Sequence, residues 1–354
     1  MSGTSLDGLD IAFCSFFLNE KQEWGYMIEK TDCVQYDAAW KESLGNAHNL
    51  SGLQLMALHQ QYGRFIADSV NGFIRKHGLQ PDLIASHGHT IFHDPGQMLS
   101  FQLGHGAAIY AGTGIPVVCD FRSVDVSLGG QGAPLVPIGD ALLFKQYECC
   151  LNLGGIANIS YDRAGKRIAY DICGCNLLLN MIAQQKGYAF DSGGAWARLG
   201  TIDTALLLKL NKWDYLQKQA PKSLDKETML AELGPIIQSS RVSFEDKLAT
   251  IVEHIAIQIA KATEGHIGTL LMTGGGAFNG FLVERIQEKT TPSCLVPDEN
   301  LVNYKEALIF AFLGLLRARG EVNTLASVTG AKTDSIGGAI YGALDPNIQG
   351  FVGL

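Results

Sequence analysis

The chain has 354 residues, 47% hydrophobic and 18% charged, with a net charge of −8 at pH 7. This composition excludes a disordered chain, and the lack of a long basic run argues against nucleic acid as the ligand. An acidic protein that handles phosphates must do so with loops, metal and a few placed cations, which points to a compact nucleotide or metabolite site. The length suggests two domains. No basic stretch followed by an apolar run opens the sequence, so no secretory signal is expected. The most apolar helical stretch, 307–316, is too short to span a bilayer and is flanked by charges, so no membrane partner is expected. Eight cysteines without disulfide-scaffold spacing, several inside apolar runs, read as reduced thiols of a cytoplasmic protein.

In chain order, the opening Met1-Ser-Gly-Thr-Ser-Leu-Asp-Gly-Leu-Asp10 combines glycines, hydroxyls and carboxylates ahead of an apolar strand at 9–18. Such a turn lets backbone N–H groups and hydroxyls converge on an anion; it also fits an ordinary turn of turn-forming residues. A second strand at 25–34 pairs with the first. Apolar residues at helical spacing predict one long amphipathic helix over 53–77, ended by Gly78. A short buried strand at 82–86 runs into the polar loop His87-Gly-His-Thr90, the place where open α/β sheets put their ligands. A helical patch at 106–112 and a strand at 115–119 follow, the strand delivering Asp120-Phe-Arg122 and Asp125. A glycine-rich loop spans 129–134, and the first domain is expected to end near residue 140.

The second half, 141–354, restarts the pattern, with its C-terminal segment able to pack back on the first domain. Strands are predicted at 149–153, 168–172 and 269–273. Helices are predicted at 176–186, 204–219, 244–264, from about 281, and at 305–320. Glycine loops sit at Gly154-Gly155, after the first of these strands, and at Gly274-Gly275-Gly276, after the third. With Gly3, Thr4 and Ser5, and Asp7 beside them, they make three candidate phosphate or nucleotide loops. Asp120, Arg122, Asp125 and Asp171 are the candidate chemistry residues, with His89 and Thr90 nearby. Carboxylates at strand ends suit a general base or a divalent cation. Arg122 offers a bidentate fork for an anionic substrate group, or a structural ion pair with Asp120. Cys173-Gly-Cys175 lacks the companions of a zinc site, and no Gly-x-Ser-x-Gly elbow follows a strand.

Taken as an ordered set, these motifs resemble the anhydro-N-acetylmuramic acid kinases of the actin/hexokinase/Hsp70 ATPase superfamily. The resemblance runs from Met1-Ser-Gly-Thr-Ser through Ser86-His-Gly-His-Thr90, Asp120-Phe-Arg122, Gly129-Gly-Gln-Gly-Ala-Pro134 and Asn152-Leu-Gly-Gly-Ile-Ala-Asn158. It continues through Phe190-Asp191, Thr273-Gly-Gly-Gly-Ala277 and Ser327-Val-Thr-Gly-Ala331. It implies an α/β, two-domain actin-like ATPase (ribonuclease H-like) fold with an interdomain cleft, and ATP and Mg2+ as cofactors. It also implies a small amino-sugar substrate and a cytoplasmic homodimer that recycles cell-wall sugar. The implied reaction opens the 1,6-anhydro ring with water and phosphorylates O6. Asp171 would be the catalytic base. Thr90, Asp120, Arg122 and Asn176 would bind the sugar. Gly3, Thr4, Ser5, Asp7, Gly154, Gly155, Gly274, Gly275 and Gly276 would hold ATP, with Asp7 the candidate metal ligand. Another sugar or carboxylate kinase of the same superfamily, or a non-catalytic nucleotide-binding paralogue, is the alternative.

Overall fold

The computed structural model describes residues 1–3 and 6–349. Thr4 and Ser5, both candidate phosphate contacts, lie outside the described residues. The chain divides into two units, Met1–Leu143 with Tyr304–Leu354, and Phe144–Asn303. Both are α/β, in line with the expected class.

In the first unit, β1 (Gly8–Leu18) and β2 (Trp24–Gln35) form an antiparallel hairpin with a bulge at the Phe13–Cys14 step. α1 (Ala38–Gly45) is capped by Asp37. α2 (Gly52–His77) starts at a reciprocal cap between Ser51 and Gln54 and stops where Gly78 turns left-handed at φ 65°. Its stripe of Leu58, Tyr62, Ile66 and Phe73 is buried, which is the helical period the sequence displays. β3 (Ile84–Ser86) is followed by a second antiparallel hairpin, β4 (His89–Asp94) with β5 (Leu99–Leu103). His89 and Thr90 therefore open a strand instead of belonging to a free loop. The alternation that announces this hairpin is masked by its polar residues, and Pro95-Gly96 is its visible turn signal. α3 (Gly106–Thr113) packs on α2. β6 (Val117–Cys119) runs parallel to β3, and α4 (Ser123–Ser127) and α5 (Val136–Leu143) complete this run.

The second unit opens with an antiparallel meander of β7 (Cys149–Leu153), β8 (Ile156–Arg163) and β9 (Lys166–Gly174). Four helices follow: α6 (Asn176–Ala183), α7 (Thr204–Asn211), α8 (Lys226–Ser239) and α9 (Phe244–Ala262). β10 (Thr269–Thr273), α10 (Gly280–Lys289) and β11 (Ser293–Leu295) finish the unit. β10 and β11 are parallel to each other, and β10 is parallel to β7, giving the spatial order β11-β10-β7-β8-β9. α9 is buried over most of its surface and anchors a core that includes Leu151, Ile159, Cys173, Cys175, Leu178 and Met272. Cys173 and Cys175 are thus small core residues flanking Gly174. Burial pushes both thiols up, Cys175 to about 12.

α11 (Glu299–Arg319) carries the chain across the division at Tyr304. α12 (Ala326–Thr329) and β12 (Ala339–Tyr341) then complete the first unit, whose second sheet reads β12-β6-β3. Lys305 of α11 bridges Asp140 of α5 at 2.7 Å, with both side chains almost wholly buried. Removing one partner of such a pair strands the other's charge, which costs about 3–5 kcal/mol. Asp140→Ala should therefore lower the melting temperature markedly, whereas replacing an exposed pair such as Lys76–Asp32 should leave it within a degree or two; thermal denaturation by circular dichroism distinguishes the two.

Candidate active site

The second unit concentrates its bare backbone at one end of its sheet. β7 and β10 are parallel neighbours, and each ends in a glycine loop, Gly154-Gly155 and Gly274-Gly275-Gly276. Gly274 sits at φ 82°, and a Cβ there would lie 2.4 Å from Asn152 Oδ1 and 3.0 Å from the Leu153 carbonyl. A Cβ on Gly276 would meet Leu153 at 2.8 Å. Only glycine lets the two loops approach in this way. Asn176, the first residue of α6, ties into the same place. Its Nδ2 donates to the Leu153 carbonyl at 2.9 Å and its N–H to the Gly154 carbonyl at 3.2 Å. The result is a glycine floor at the carboxyl ends of parallel strands, beside the start of one helix and just ahead of another, where an α/β sheet receives anions.

One ladder row crosses this sheet at the level of the floor: Thr273 opposite Asn152, Asn152 opposite Asn158, and Asn158 opposite Asp171. Residues directly opposite share a face. With strands about 4.8 Å apart, Asp171 stands about 10 Å across the row from Asn152. Asp171 lies beside a bulge, since Ala157 pairs with Cys173 and Asn158 with Asp171, leaving Ile172 without a partner of its own. Bulges re-aim side chains and recur beside active sites. The segment after α7 covers β9. The Lys222 carbonyl accepts from the Asp171 N–H at 3.1 Å, the Leu224 N–H donates to Asp171 Oδ2 at 2.9 Å, and the Tyr215 hydroxyl donates to the Asp171 carbonyl at 2.7 Å. Burial raises the Asp171 carboxyl to about 6, with the Leu224 N–H and the Lys222 ammonium pulling the other way. A carboxyl at that value is suited to take a proton near neutral pH.

The first unit gathers the remaining candidates. Arg122 donates from Nε and Nη2 to His87 Nε2, at 3.2 and 2.9 Å, and from Nη1 to the Gly132 carbonyl at 2.6 Å. His87 can accept these bonds only as a neutral ring with its proton on Nδ1, which faces the Gly88 carbonyl at 3.0 Å. Burial holds it there, drawing the imidazole down to about 3, and Arg122 adds to the effect. Burial also draws Arg122 to about 10. No Asp120–Arg122 ion pair forms among the described residues; Asp120 instead accepts from the Ser123 hydroxyl at 2.6 Å. Its backbone is left-handed at φ 57°, unusual for a residue with a side chain. Asp120 lines a cavity of about 160 Å³ together with His87, Gln102, Ser123 and Tyr341. Thr90 is half-buried opposite Gln102. Asp125 is buried and engaged at both oxygens: Oδ2 takes the Gly132 N–H and Oδ1 the Thr329 hydroxyl, both at 2.7 Å. It fixes the 129–134 loop that holds Arg122. Ser2, next to Gly3, contacts His89 Nδ1 at 3.0 Å and accepts from the Tyr36 hydroxyl at 2.7 Å, anchoring the opening turn to the histidine motif.

Sequence reading gave no role to His87, Asn152, Asn158 or the Lys222–Leu224 segment. The first three stand inside the quoted motifs; the last carries no local signal, because it matters only by lying against β9. Glu306 was also missed. It sits in the middle of α11, and its charge is felt by both Arg122 and the Met1 ammonium. Among the described residues no three His, Cys, Asp or Glu side chains gather to hold a metal ion.

A glycine floor ending two parallel strands, with a near-neutral carboxyl on the same row, is an arrangement with which an α/β protein can receive phosphate. Residues 1–343 match the family described as anhydro-N-acetylmuramic acid kinase, and the chain belongs to that family. The kinase of that name from Sulfurovum sp. (strain NBC37-1) is 34% identical over 364 residues, covering 96% of this chain and 97% of the relative. The one from Vibrio parahaemolyticus serotype O3:K6 is 35% identical over 370 residues, covering 96% of each. Among solved structures, the ROK hexokinase from Thermus thermophilus aligns over 86% of this chain and 99% of that one. At 12% identity and a TM-score of 0.36 it is too distant to bear on the site.

Two outcomes follow from this geometry. Gly274→Ala should keep the fold of the unit but open the floor, raising the KM for ATP by at least ~10-fold, since a Cβ must displace Asn152. Asp171→Asn should be as stable as the parent or more so at pH 7–8. An unfolded aspartate titrates near about 3.9 and the folded one near 6, so the native state holds the extra proton between those values. Its contribution to stability is therefore largest below about pH 4 and falls as pH rises to about 6, and the neutral amide escapes that loss of up to about 3 kcal/mol. Denaturant unfolding of both proteins across pH 4–8 measures it; an Asn variant that loses stability at pH 8 would contradict the raised value.

Proposed function

We propose that this chain is an ATP-dependent kinase acting on 1,6-anhydro-N-acetylmuramic acid. Water adds to C1, the C1–O6 bond of the anhydro bridge breaks, and O6 takes the γ-phosphoryl group. The products are N-acetylmuramic acid 6-phosphate and ADP. Membership of the kinase family supports the reaction class. The observation that carries the residue assignment is Asp171, a carboxyl raised to about 6 on the sheet row that ends at the glycine floor.

Asp171 takes the proton of the attacking water, which a carboxylate of that basicity does more readily than a surface aspartate. The departing acetal oxygen leaves oxocarbenium-like charge at C1, which the same carboxylate stabilises. Gly154, Gly155, Gly274, Gly275 and Gly276 receive the nucleotide through backbone N–H groups, and Asn176, bonded to the Leu153 and Gly154 carbonyls, stands beside them to contact the sugar. Gly3, Thr4 and Ser5 serve as the phosphate turn of the first unit. Asp7, exposed ahead of β1, is the carboxylate offered to Mg2+, which when bound neutralises phosphate charge. Arg122, Asp120 and Thr90 hold the sugar. Three of the five Arg122 N–H donors are spent on His87 and Gly132, and the other two remain for the lactyl carboxylate. We place the enzyme in the cytoplasm as a homodimer in cell-wall recycling; among the described residues no helix is long and apolar enough to cross a membrane.

A coupled ADP-release assay with the anhydro sugar tests the reaction, and it should be run in oxygen-labelled water. Label at C1 of the product is expected; turnover without label would indicate an ordinary hydroxyl kinase. Asp171→Asn should lower kcat at least ~100-fold with little change in either KM. In the parent, kcat should rise with pH through about 6 and then level, because the base must be ionised. Arg122→Ala should raise the sugar KM and leave the ATP KM near its parent value; the opposite pattern would move Arg122 to the nucleotide.

A further inference from the structure

The outer edge of the second unit's sheet carries a closed set of contacts around Asp171. β9 ends the strand order, and the segment between α7 and α8 lies against it. Three residues there donate in turn to one another's carbonyls. The Asp171 N–H donates to the Lys222 carbonyl at 3.1 Å, the Lys222 ammonium to the Tyr215 carbonyl at 3.4 Å, and the Tyr215 hydroxyl to the Asp171 carbonyl at 2.7 Å. Lys222 Nζ also stands 4.6 Å from the Tyr215 ring centre and 5.9 Å from that of Tyr170. Aromatic faces attract an ammonium at such distances. Tyr215 therefore holds the strand with its hydroxyl and the cation with its ring and carbonyl.

This arrangement keeps a cation near the base without letting the two pair. Among the described residues the Lys222 ammonium meets no carboxylate at ion-pair distance, yet Asp171 and Lys222 each feel the other's charge. A cation in contact with a carboxylate lowers it by about 1–3 units, which would return Asp171 to the range of an ordinary aspartate. One kept short of contact lowers it less, because the attraction falls with distance. The other titratable groups facing the pair are Cys173 and Tyr170 on β9, Tyr215 and Lys218 on the covering segment, and Asp225 at the start of α8. Burial pushes the thiol and both phenols up, so they are neutral near pH 7. Asp225 is exposed and accepts from the Thr228 N–H at 2.7 Å. Lys218 is exposed, stands 5.5 Å from the Tyr215 ring centre and repels Lys222. Lys222 is the cation whose charge reaches the Asp171 carboxyl.

We infer that Lys222 is a positioning residue for the base: held by two tyrosine faces and the Tyr215 carbonyl, its ammonium stabilises the ionised Asp171 carboxylate without touching it. This rests on the reading of Asp171 as the base. Lys222 then acts through the carboxylate and not on sugar or nucleotide, so its loss changes the pH dependence of kcat and spares both KM values. A nearby positive charge favours the ionised form, so removing it raises the midpoint of Asp171. The carboxyl is then protonated further into the neutral range, where it cannot take a proton from water. Burial makes Asp171 basic, and Lys222 keeps that basicity from overshooting.

The test is carbon-13 titration of the Asp171 carboxyl, with kcat measured over about pH 5–9, on the full chain and on Lys222→Met, Lys222→Gln, Lys222→Arg and Lys218→Met. Circular dichroism confirms that each is folded. Both neutral variants should raise the Asp171 midpoint by about one unit, the Gln variant showing that charge matters and not the hydrogen bond to Tyr215. Lys222→Arg should return it to within about 0.3 unit of the parent, because a guanidinium keeps the charge over the rings. Lys218→Met should leave it within about 0.3 unit. With the midpoint raised, kcat of the neutral variants should fall about fivefold at pH 6 and stay within about twofold of the parent at pH 8, with both KM values within about twofold. The titration needs no substrate, so two failures are told apart. An unmoved midpoint in a folded neutral variant overturns the role of Lys222 whatever kcat does. A raised midpoint that the kcat profile ignores overturns Asp171 as the base, and the role of Lys222 with it. Equal shifts from Lys218→Met and Lys222→Met would also overturn the proposal, because the field of the whole segment would then be responsible.

Discussion

One carboxyl must be largely withdrawn from bulk solvent, while still meeting a single reacting water, for the second unit to supply a base. Asp171 receives one backbone N–H, from Leu224, and feels one cation, Lys222, whose own ammonium is lowered by burial. Desolvation outweighs both and holds the group near 6. The balance is narrow. A carboxylate accepting two or three N–H bonds falls far below the ordinary range, so a second donor from the 222–224 segment would make it a poor base. Tyr215 and Lys222 bond to the Asp171 backbone instead of its carboxylate, so Leu224 remains its one hydrogen-bond donor among the described residues.

The same logic of withheld partners shapes the other parts. The glycine floor is defined by missing side chains, which leaves backbone as the available surface for an anion at Gly154 and Gly274. Arg122 is ordered by a neutral imidazole and a carbonyl instead of by hydrogen bonds to a carboxylate, and the anion it feels is Glu306 of α11. Asp125, bonded to Gly132 and Thr329, ties down the loop whose Gly132 carbonyl holds Arg122.

Long periodic stretches were legible in the sequence, because one face of α2 and most of α9 must be apolar to be buried. The glycine loops were legible too, since a loop that tolerates only glycine writes glycine into the chain. What escaped was anything set by partners distant in sequence. Asp171 could be named from its motif, yet its basicity comes from burial, and the residues that temper it, Lys222 and Leu224, lie about fifty positions later. His87 reads as one more histidine until Arg122 is found against its ring. The β4–β5 hairpin was hidden because its strands are half polar.

The chemistry of the second unit turns on the protonation of a single carboxyl. Carbon-13 NMR titration of the Asp171 side chain in the full chain, assigned by comparison with Asp171→Asn, reads it directly. A midpoint near 6 is the predicted result. A midpoint below about 4.5, within the range of an ordinary aspartate, would contradict the base assignment and with it the role given to the burial of β9.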